Sequence, residues 1–184
     1  MWSLNTVVDL RKPVVIVGPS GAGKTTLLMA IAGIIRPTTG TIEIDGVNVE
    51  DLDTKDIVLV PKEDFVVEGS IWENLTYGVE GEVSQAVARM HLERLGLWEA
   101  IDAKGGLGAP VVGMSSGEIK RLMVVRALLL SSRLLLLDEP TSGLDIQTAT
   151  YLLETLTSLP FKVIITTHQP LPAVETTIVL SKRT

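Results

Sequence analysis

The sequence reads Gly18-Pro19-Ser20-Gly21-Ala22-Gly23-Lys24-Thr25-Thr26 directly after the apolar run Val14-Val15-Ile16-Val17. Glycines at this spacing let backbone N–H groups turn inward around a phosphate group without a side-chain clash. Lys24 would then reach the β- and γ-phosphates, and the hydroxyl of Thr25 can bind Mg²⁺. The apolar residues after Thr26 predict a helix whose N-terminal dipole points at the same anion. The whole stretch, residues 18–26, is therefore predicted to hold the phosphates of a nucleotide.

Composition limits the class of protein. Of the 184 residues, 46% are hydrophobic and only 4% aromatic, which is typical of a sheet of Val, Ile and Leu strands covered by helices. The net charge of −6 argues against general binding to a nucleic-acid backbone, so no nucleic-acid partner is expected. The absence of cysteine excludes disulfides and thiolate chemistry. No secretion signal or run of about 18 apolar residues is visible, so a membrane role is expected to come through a partner.

Strand and helix patterns alternate along the chain and predict an α/β fold. Strand patterns occupy residues 6–10, 14–17, 41–49, 57–60, 134–137 and 163–167. Helical patterns occupy residues 26–32, about 70–96, 118–130 and 148–156, and residues 103–113 read as a glycine-rich loop. Asp45-Gly46 marks a hairpin. We predict a P-loop NTPase fold with a mainly parallel central sheet, a small antiparallel β portion and a helical insertion.

Two carboxylates follow the second buried strand. The run Leu134-Leu135-Leu136-Leu137 delivers Asp138 and Glu139 at its carboxyl end, where ligands bind in open α/β sheets. Asp138 is expected to hold Mg²⁺, directly or through water, and Glu139 to polarise a water for attack on the γ-phosphate. A plain pair of loop residues is the alternative.

The helix before that strand opens with Met114-Ser115-Ser116-Gly117-Glu118. Ser115 and Glu118 fit a capping box, which satisfies free N–H groups of the helix and needs no ligand. A functional interpretation of this segment depends on its place among the other motifs.

The ordered motifs resemble the nucleotide-binding domain of ATP-binding cassette (ABC) proteins, over about residues 4–180. The motifs are the phosphate loop, Val60-Pro61-Lys62, Met114 to Glu118, Leu134 to Glu139, Ser142-Gly143-Leu144-Asp145 and His168. In that family, two domains pair head to tail and bury two ATP molecules between them. The resemblance implies one domain, with a core of about residues 1–65 and 131–184 and a helical subdomain with the signature helix at about residues 66–130.

Function and partners follow from the same resemblance. It implies ATP hydrolysis coupled to transport, with ATP and Mg²⁺ as cofactors. The implied partners are a second ABC domain and a transmembrane subunit or domain. The protein is therefore expected in the cytoplasm, peripheral to the inner face of a membrane through that partner.

The resemblance also implies roles for individual residues. Ser115 and Gly117 would contact the γ-phosphate held by the opposite subunit, and Asp145 would communicate across the dimer. His168 corresponds to the histidine that hydrogen-bonds the γ-phosphate, whereas His91 is expected to be a solvated helix residue. Lys24 would stabilise the transferred charge and Glu139 act as general base, while Thr25 and Asp138 organise Mg²⁺.

The chain departs from the family pattern at several places. Lys62 stands where the family usually has glutamine; lysine has no acceptor and repels a metal ion, so it either grips phosphate or points elsewhere. The segment from Met114 to Glu118, which corresponds to the family's signature motif, reads Met-Ser-Ser-Gly-Glu in place of Leu-Ser-Gly-Gly-Gln. No clear adenine-stacking aromatic precedes the loop, and Trp2 is the nearby candidate. Because the chain ends at Thr184, a compact or shortened form of the domain is expected.

The segment at residues 70–78 favours a transporter of the exporter type, since it resembles the start of the helical subdomain in those proteins. A plain capped helix start, Ser70 with Glu73, is the alternative. Two other functions stay open. One is a soluble ABC ATPase in DNA repair, chromosome handling or cluster assembly, and the other is a nucleotide-sensing module with negligible hydrolysis.

Overall fold

The structure, a computed structural model, describes residues 4–53, 55–130, 132–168 and 176–181. The chain divides into two compact units. The first comprises Met1–Pro61, Arg133–Pro140 and Leu159–Thr184, and the second comprises Lys62–Ser132 and Thr141–Ser158. Among the described residues, every helix is too short or too polar to cross a lipid bilayer.

The first unit is built on a parallel five-stranded sheet. Its strands are β1 (Val14–Val17), β4 (Ile57–Val60), β5 (Leu134–Leu137), β6 (Lys162–Thr167) and β7 (Thr176–Val179), in the order β4-β5-β6-β1-β7. Every neighbouring pair is parallel. Short runs of Val, Ile and Leu suit such strands because both faces of a parallel sheet are buried. The predicted α/β fold with a mainly parallel sheet is therefore confirmed.

One helix of this unit covers the sheet directly after β1. The helix α1 (Lys24–Ile31) buries Leu27 and Leu28 in the same core cluster as Ile16, Leu136 and Ile164. The strand, the loop and the helix thus occur in the predicted order. The loop therefore joins the carboxyl end of β1 to the N-terminus of α1, where Lys24 is located.

The antiparallel portion of the first unit is a small hairpin. Strands β2 (Glu43–Ile44) and β3 (Val47–Asn48) pair across Asp45 and Gly46. These two residues have φ angles of 53° and 80°, as a tight two-residue turn of a right-twisted hairpin requires. Lys162 Nζ donates to Asp45 and lowers the pKa of that carboxyl group. The hairpin prediction is confirmed.

The expected strand at residues 6–10 is wrong, since no strand forms there. The Asp9 carboxylate accepts hydrogen bonds from the N–H and Nε of Arg11 at 3.0 and 2.9 Å, and Lys12 N–H donates to Asp9 O. These bonds turn the chain back at once, while Val7 remains 97% exposed. Alternating valine and leucine favour a strand only where a partner strand is available to pair with.

The second unit is helical. Its helices are α2 (Ile71–Thr76), α3 (Gln85–Arg94), α4 (Trp98–Ala103), α5 (Ser116–Leu129) and α6 (Ile146–Ser158). The predicted helical stretch at residues 70–96 is thus two helices, because Gly78 and Gly81 adopt φ angles of 79° and 82° between them. Ser70 and Glu73 form a complete capping box at the start of α2.

His91 is buried in this unit, so its expected solvation is wrong. Only 7% of the residue is exposed, and its Nδ1 has no hydrogen-bond partner among the described residues. Burial lowers the pKa of His91, and the positive charge of Arg94 acts in the same direction. A period of 3.6 places a residue on a helix face but does not reveal what covers that face.

The free energy of unfolding is expected to fall as the pH drops below the ordinary histidine pKa of about 6.5. Between that value and the lowered pKa of folded His91, the unfolded chain binds a proton that the folded chain resists, so acid favours unfolding. Denaturant titrations at pH 7.5 and 5.5 measure the effect, which His91→Leu should reduce. His168→Gln, at the other of the two histidines, is the control; equal pH dependence in His91→Leu and the wild type would contradict the prediction.

Candidate nucleotide-binding and catalytic site

The loop between β1 and α1 directs two backbone carbonyl groups at the side chain of Lys24, the first residue of α1. Lys24 Nζ donates to the carbonyl oxygens of Gly18 at 2.7 Å and Pro19 at 3.2 Å. Gly23 has a φ of 95° at the N-cap of α1, in the left-handed region that glycine enters without strain. A Cβ on Gly18 would lie 2.6 Å from the carbonyl oxygen of Leu180. The predicted contact residues 18–26 thus comprise a loop, in which Gly18 admits no side chain, and the first residues of α1.

Lys24 also meets the candidate base. Its Nζ lies 3.0 Å from Glu139 Oε1, and the two side chains are only 4% and 9% exposed. Glu139 Oε1 is in turn 3.0 Å from His168 Nε2, whose side chain is about half exposed. Lys24 and His168, which were predicted separately along the chain, therefore both lie beside one carboxylate oxygen of Glu139.

Asp138 is held by two hydroxyl groups. Thr25 Oγ1 donates to its Oδ2 at 2.6 Å, and Thr166 Oγ1 donates to its Oδ1 at 2.5 Å. Asp138 follows β5 and is 3% exposed, and its N–H donates to Val60 O of the neighbouring strand β4. The sheet therefore brings the loop hydroxyl and the carboxylate into direct contact.

This pair suits Mg²⁺ by its chemistry. A hydroxyl and a carboxylate are hard oxygen donors, and Mg²⁺ is commonly held by one or two protein groups together with substrate phosphates. In the part of the chain that the structure describes, no group of three or more His, Cys, Asp or Glu side chains could hold a metal ion. Thr25 and Asp138 supply two such donors, so the pair fits a metal ion whose other ligands are substrate phosphates.

Sequence reasoning missed Thr166. This residue is fully buried in β6, and its Oγ1 both donates to Asp138 and accepts from the N–H of Glu139 at 2.9 Å. Glu139 needs that support because its φ is 46°, an uncommon value for a residue with a side chain. The available signal was a hydroxyl inside an apolar strand that ends beside His168.

Thr166→Val is expected to lower ATP hydrolysis and to destabilise the fold by about 1–3 kcal/mol. Valine keeps the shape of the side chain but leaves Oδ1 of Asp138 without its hydroxyl donor and the N–H of Glu139 without an acceptor. Thr166→Ser keeps the hydroxyl and is the matched control. Phosphate release and chemical denaturation are the measurements, and equal loss in both variants would assign the effect to packing instead.

The remaining predicted residues lie in the second unit. The hydroxyl of Ser115 accepts from Glu118 N–H at 3.2 Å, and Glu118 Oε2 accepts from Ser115 N–H at 2.8 Å, which confirms the capping interpretation. A Cβ on Gly117 would lie 2.7 Å from Leu144 Cδ2. Asp145 accepts from the hydroxyl and N–H of Thr148, and these bonds lower the pKa of Asp145.

The predicted roles of Ser115, Gly117 and Asp145 across a dimer stay predictions. The predicted phosphate contact of Lys62 also stays a prediction. Trp2, the candidate for stacking on adenine, lies outside the described residues.

Comparison with known proteins gives one consistent family. A family model described as ABC transporter matches residues 3–142. The chain is 35% identical over 182 residues to the mating factor M secretion protein mam1 of Schizosaccharomyces pombe, covering 91% of this chain and 13% of mam1. It is 36% identical over 155 residues to the mycobactin import ATP-binding/permease protein IrtB of Mycolicibacterium thermoresistibile, covering 79% of this chain and 26% of IrtB.

A solved structure shows the same architecture. The structure of a bacterial Atm1-family ABC exporter with ATP bound superimposes with a TM-score of 0.82 at 27% identity, over 93% of this chain and 32% of that one. The chain thus spans about a quarter or less of the two curated relatives and about a third of this exporter chain.

Proposed function

The chain belongs to the ABC transporter family, and we propose that it is the ATP-hydrolysing domain that powers transport by a membrane partner. One observation carries the proposal: Glu139 Oε1 lies 3.0 Å from the Nζ of Lys24, so the candidate base and the phosphate-binding cation converge. The names of mam1, IrtB and the Atm1-family exporter support the proposal that hydrolysis drives transport and that the nucleotide is ATP. The partner would hold the domain at the cytoplasmic face of a membrane.

ATP would bind by exchanging one set of contacts of Lys24 for another. In the structure, the ammonium group is paired with Glu139 and with two loop carbonyls. A triphosphate offers the same cation several anionic oxygens, and the N–H groups of the loop and of the first turn of α1 add donors for them. Lys24 would then neutralise the β- and γ-phosphates and release the carboxylate of Glu139.

Thr25 and Asp138 would hold Mg²⁺, since they are the hard oxygen donors that meet at the loop. The ion supplies neutralisation of charge on the β- and γ-phosphate oxygens. Thr166 keeps Asp138 oriented by its hydrogen bond to Oδ1. A fixed carboxylate needs less reorganisation when the nucleotide arrives.

Glu139 would then act as the general base for hydrolysis. Its carboxylate is only 9% exposed, so a water beside it meets few competing solvent contacts. The carboxylate accepts the proton of the attacking water as that water adds to the γ-phosphorus and the bond to the leaving ADP oxygen breaks. His168, which contacts Glu139 Oε1, would donate a hydrogen bond to the γ-phosphate.

A second copy, or a related ABC domain, would complete the site. Ser115 and Gly117 lie at the capped N-terminus of α5, where free N–H groups and the helix dipole favour an anion. We assign these groups to the γ-phosphate of the partner subunit, with Asp145 at the interface and Lys62 as a further phosphate contact. Size-exclusion chromatography of Glu139→Gln tests this: a dimer with ATP and a monomer without it is expected, and a monomer in both would overturn the composite site.

A nucleotide-sensing module is the second candidate function. Lys62 favours it, because lysine offers no acceptor to orient a water or approach Mg²⁺. Steady-state phosphate release from ATP distinguishes the two functions. We expect release that needs Mg²⁺ and disappears in Glu139→Gln, whereas equal release from the wild type and that variant would leave only nucleotide binding.

A further inference from the structure

The loop after β4 is anchored by a buried lysine of the signature helix α5. Lys120 is 8% exposed, and its Nζ donates to the carbonyl oxygen of Lys62 at 2.6 Å and lies 3.4 Å from Asp64 Oδ1. We propose that Lys120 is a positioning residue for ATP hydrolysis, which acts by holding the loop at residues 62–65 through Lys62. The proposal rests on the function proposed above.

Removing the ammonium group of Lys120 from water costs free energy, and packing of the side chain alone does not offset that cost. Lysine is almost never buried unless its charge is paired, and an apolar side chain of similar size at such a site is often neutral or stabilising. The compensating contacts of Lys120 both lead to the loop, one to its backbone and one to its carboxylate. A role in holding the loop accounts for the burial of this charge.

A second contact from α5 reaches the same loop. Phe65 N–H donates to the sulfur of Met123 at 3.2 Å. Met123 follows Lys120 by three positions on α5, so both side chains project from one face of the helix. Residues 62, 64 and 65 are therefore attached to a single helical surface, and a shift of that surface would carry the loop with it.

The loop matters because of where the chain leaves the sheet. Lys62 follows Val60 by two residues, and the carbonyl of Val60 accepts from the N–H of Asp138 at 3.0 Å. Two residues of chain span at most ~7 Å, so an anchor at Lys62 limits the path of the chain directly after β4. The same helix begins next to Ser115, which gives α5 both the proposed phosphate contact and the loop anchor.

Lys120→Met is expected to lower kcat for ATP roughly tenfold, the equivalent of about 1.4 kcal/mol in activation free energy, because the proposed phosphate contact of Lys62 is then no longer held in place. Methionine keeps the length of the side chain but removes the donor to Lys62 O and the charge beside Asp64. Lys120→Arg retains both and should recover most of the rate. Lys162→Met is the matched control, since it removes a lysine paired with Asp45 at the opposite end of β6 from His168.

A double-mutant cycle with Lys62→Ala tests whether Lys120 acts through Lys62. If it does, Lys120→Met should cause little further loss of kcat in the Lys62→Ala chain, because the side chain being positioned is already absent. A tenfold loss in both backgrounds would instead assign Lys120 a general structural role and overturn the proposal.

Hydrogen exchange of individual amides separates this proposal from the failure of the proposed function. In ligand-free Lys120→Met, exchange at Phe65 should accelerate, whereas Val67 N–H, which donates to Asn74 Oδ1, should exchange as in the wild type. Absence of Glu139-dependent hydrolysis in the wild type would refute the proposed function alone. Unchanged exchange at Phe65, or changed exchange with an unchanged kcat, would refute the positioning role.

Discussion

Glu139→Gln is expected to lower the rate of ATP hydrolysis by about a hundredfold to ten-thousandfold, the usual contribution of a positioned general base. Glutamine keeps the size of the side chain and can still accept a hydrogen bond from Lys24 or His168, but it cannot take the proton of the attacking water. The affinity for ATP should therefore stay within a few-fold of the wild type. Phosphate release under saturating ATP and titration of a fluorescent nucleotide analogue measure the two quantities.

The control for this variant is Glu99→Gln, an exposed residue of α4 that makes the same change of charge. Its rate should equal that of the wild type. Hydrolysis by Glu139→Gln at more than about a tenth of the wild-type rate would show that another group acts as the base.

Lys24→Met is expected to weaken ATP binding by at least about thirtyfold, which corresponds to about 2 kcal/mol, the lower end of the cost of truncating a buried charge pair. The variant removes the cation that would neutralise the phosphates, while the backbone N–H groups of the loop remain. Hydrolysis should fall with it. Isothermal titration with ATP gives the affinity directly, and Lys162→Met serves as a control of equal charge change.

The same variant should also destabilise the ligand-free protein, by about 3 kcal/mol. Loss of Lys24 leaves the buried carboxylate of Glu139 with His168 but without its ammonium partner. The double variant Lys24→Met/Glu139→Gln removes both charges and should regain part of that stability. Chemical denaturation of the two single variants and the double variant tests the coupling, and strictly additive effects would contradict an energetically coupled pair.

The parts of the fold that the sequence predicted correctly depend on local chemistry. The glycines of the phosphate loop, the Asp45-Gly46 turn and the serine caps of α2 and α5 each act within a few residues. The Val, Ile and Leu runs of β1, β4, β5 and β6 need only to be buried, which a parallel sheet ensures. These features are recognisable before any long-range contact is known.

The sequence-based predictions were wrong where the local structure depends on residues distant in the sequence, or on a pairing strand that is missing. Residues 6–10 have the alternation of a strand but no partner to pair with, and Asp9 turns the chain instead. His91 has a polar side chain on an amphipathic helix, yet the helices packed around it leave it 7% exposed. Neither the missing partner nor the covering layer is encoded near those residues.

By itself, the sequence determined the order of strand, loop and helix, the class of ligand that such a loop can hold, and the candidate residues Lys24, Asp138, Glu139 and His168. Only the tertiary structure showed that Thr25 contacts Asp138, 113 residues away. It also showed that Thr166 bonds to both Asp138 and Glu139. The hydrogen bond from Lys120 to the carbonyl of Lys62 likewise depends on the tertiary structure. The physical reason is the distance along the chain over which each interaction acts. Turns, caps and apolar runs act on their own few residues, whereas hydrogen bonds between buried side chains depend on the order of strands in the sheet and the packing of helices.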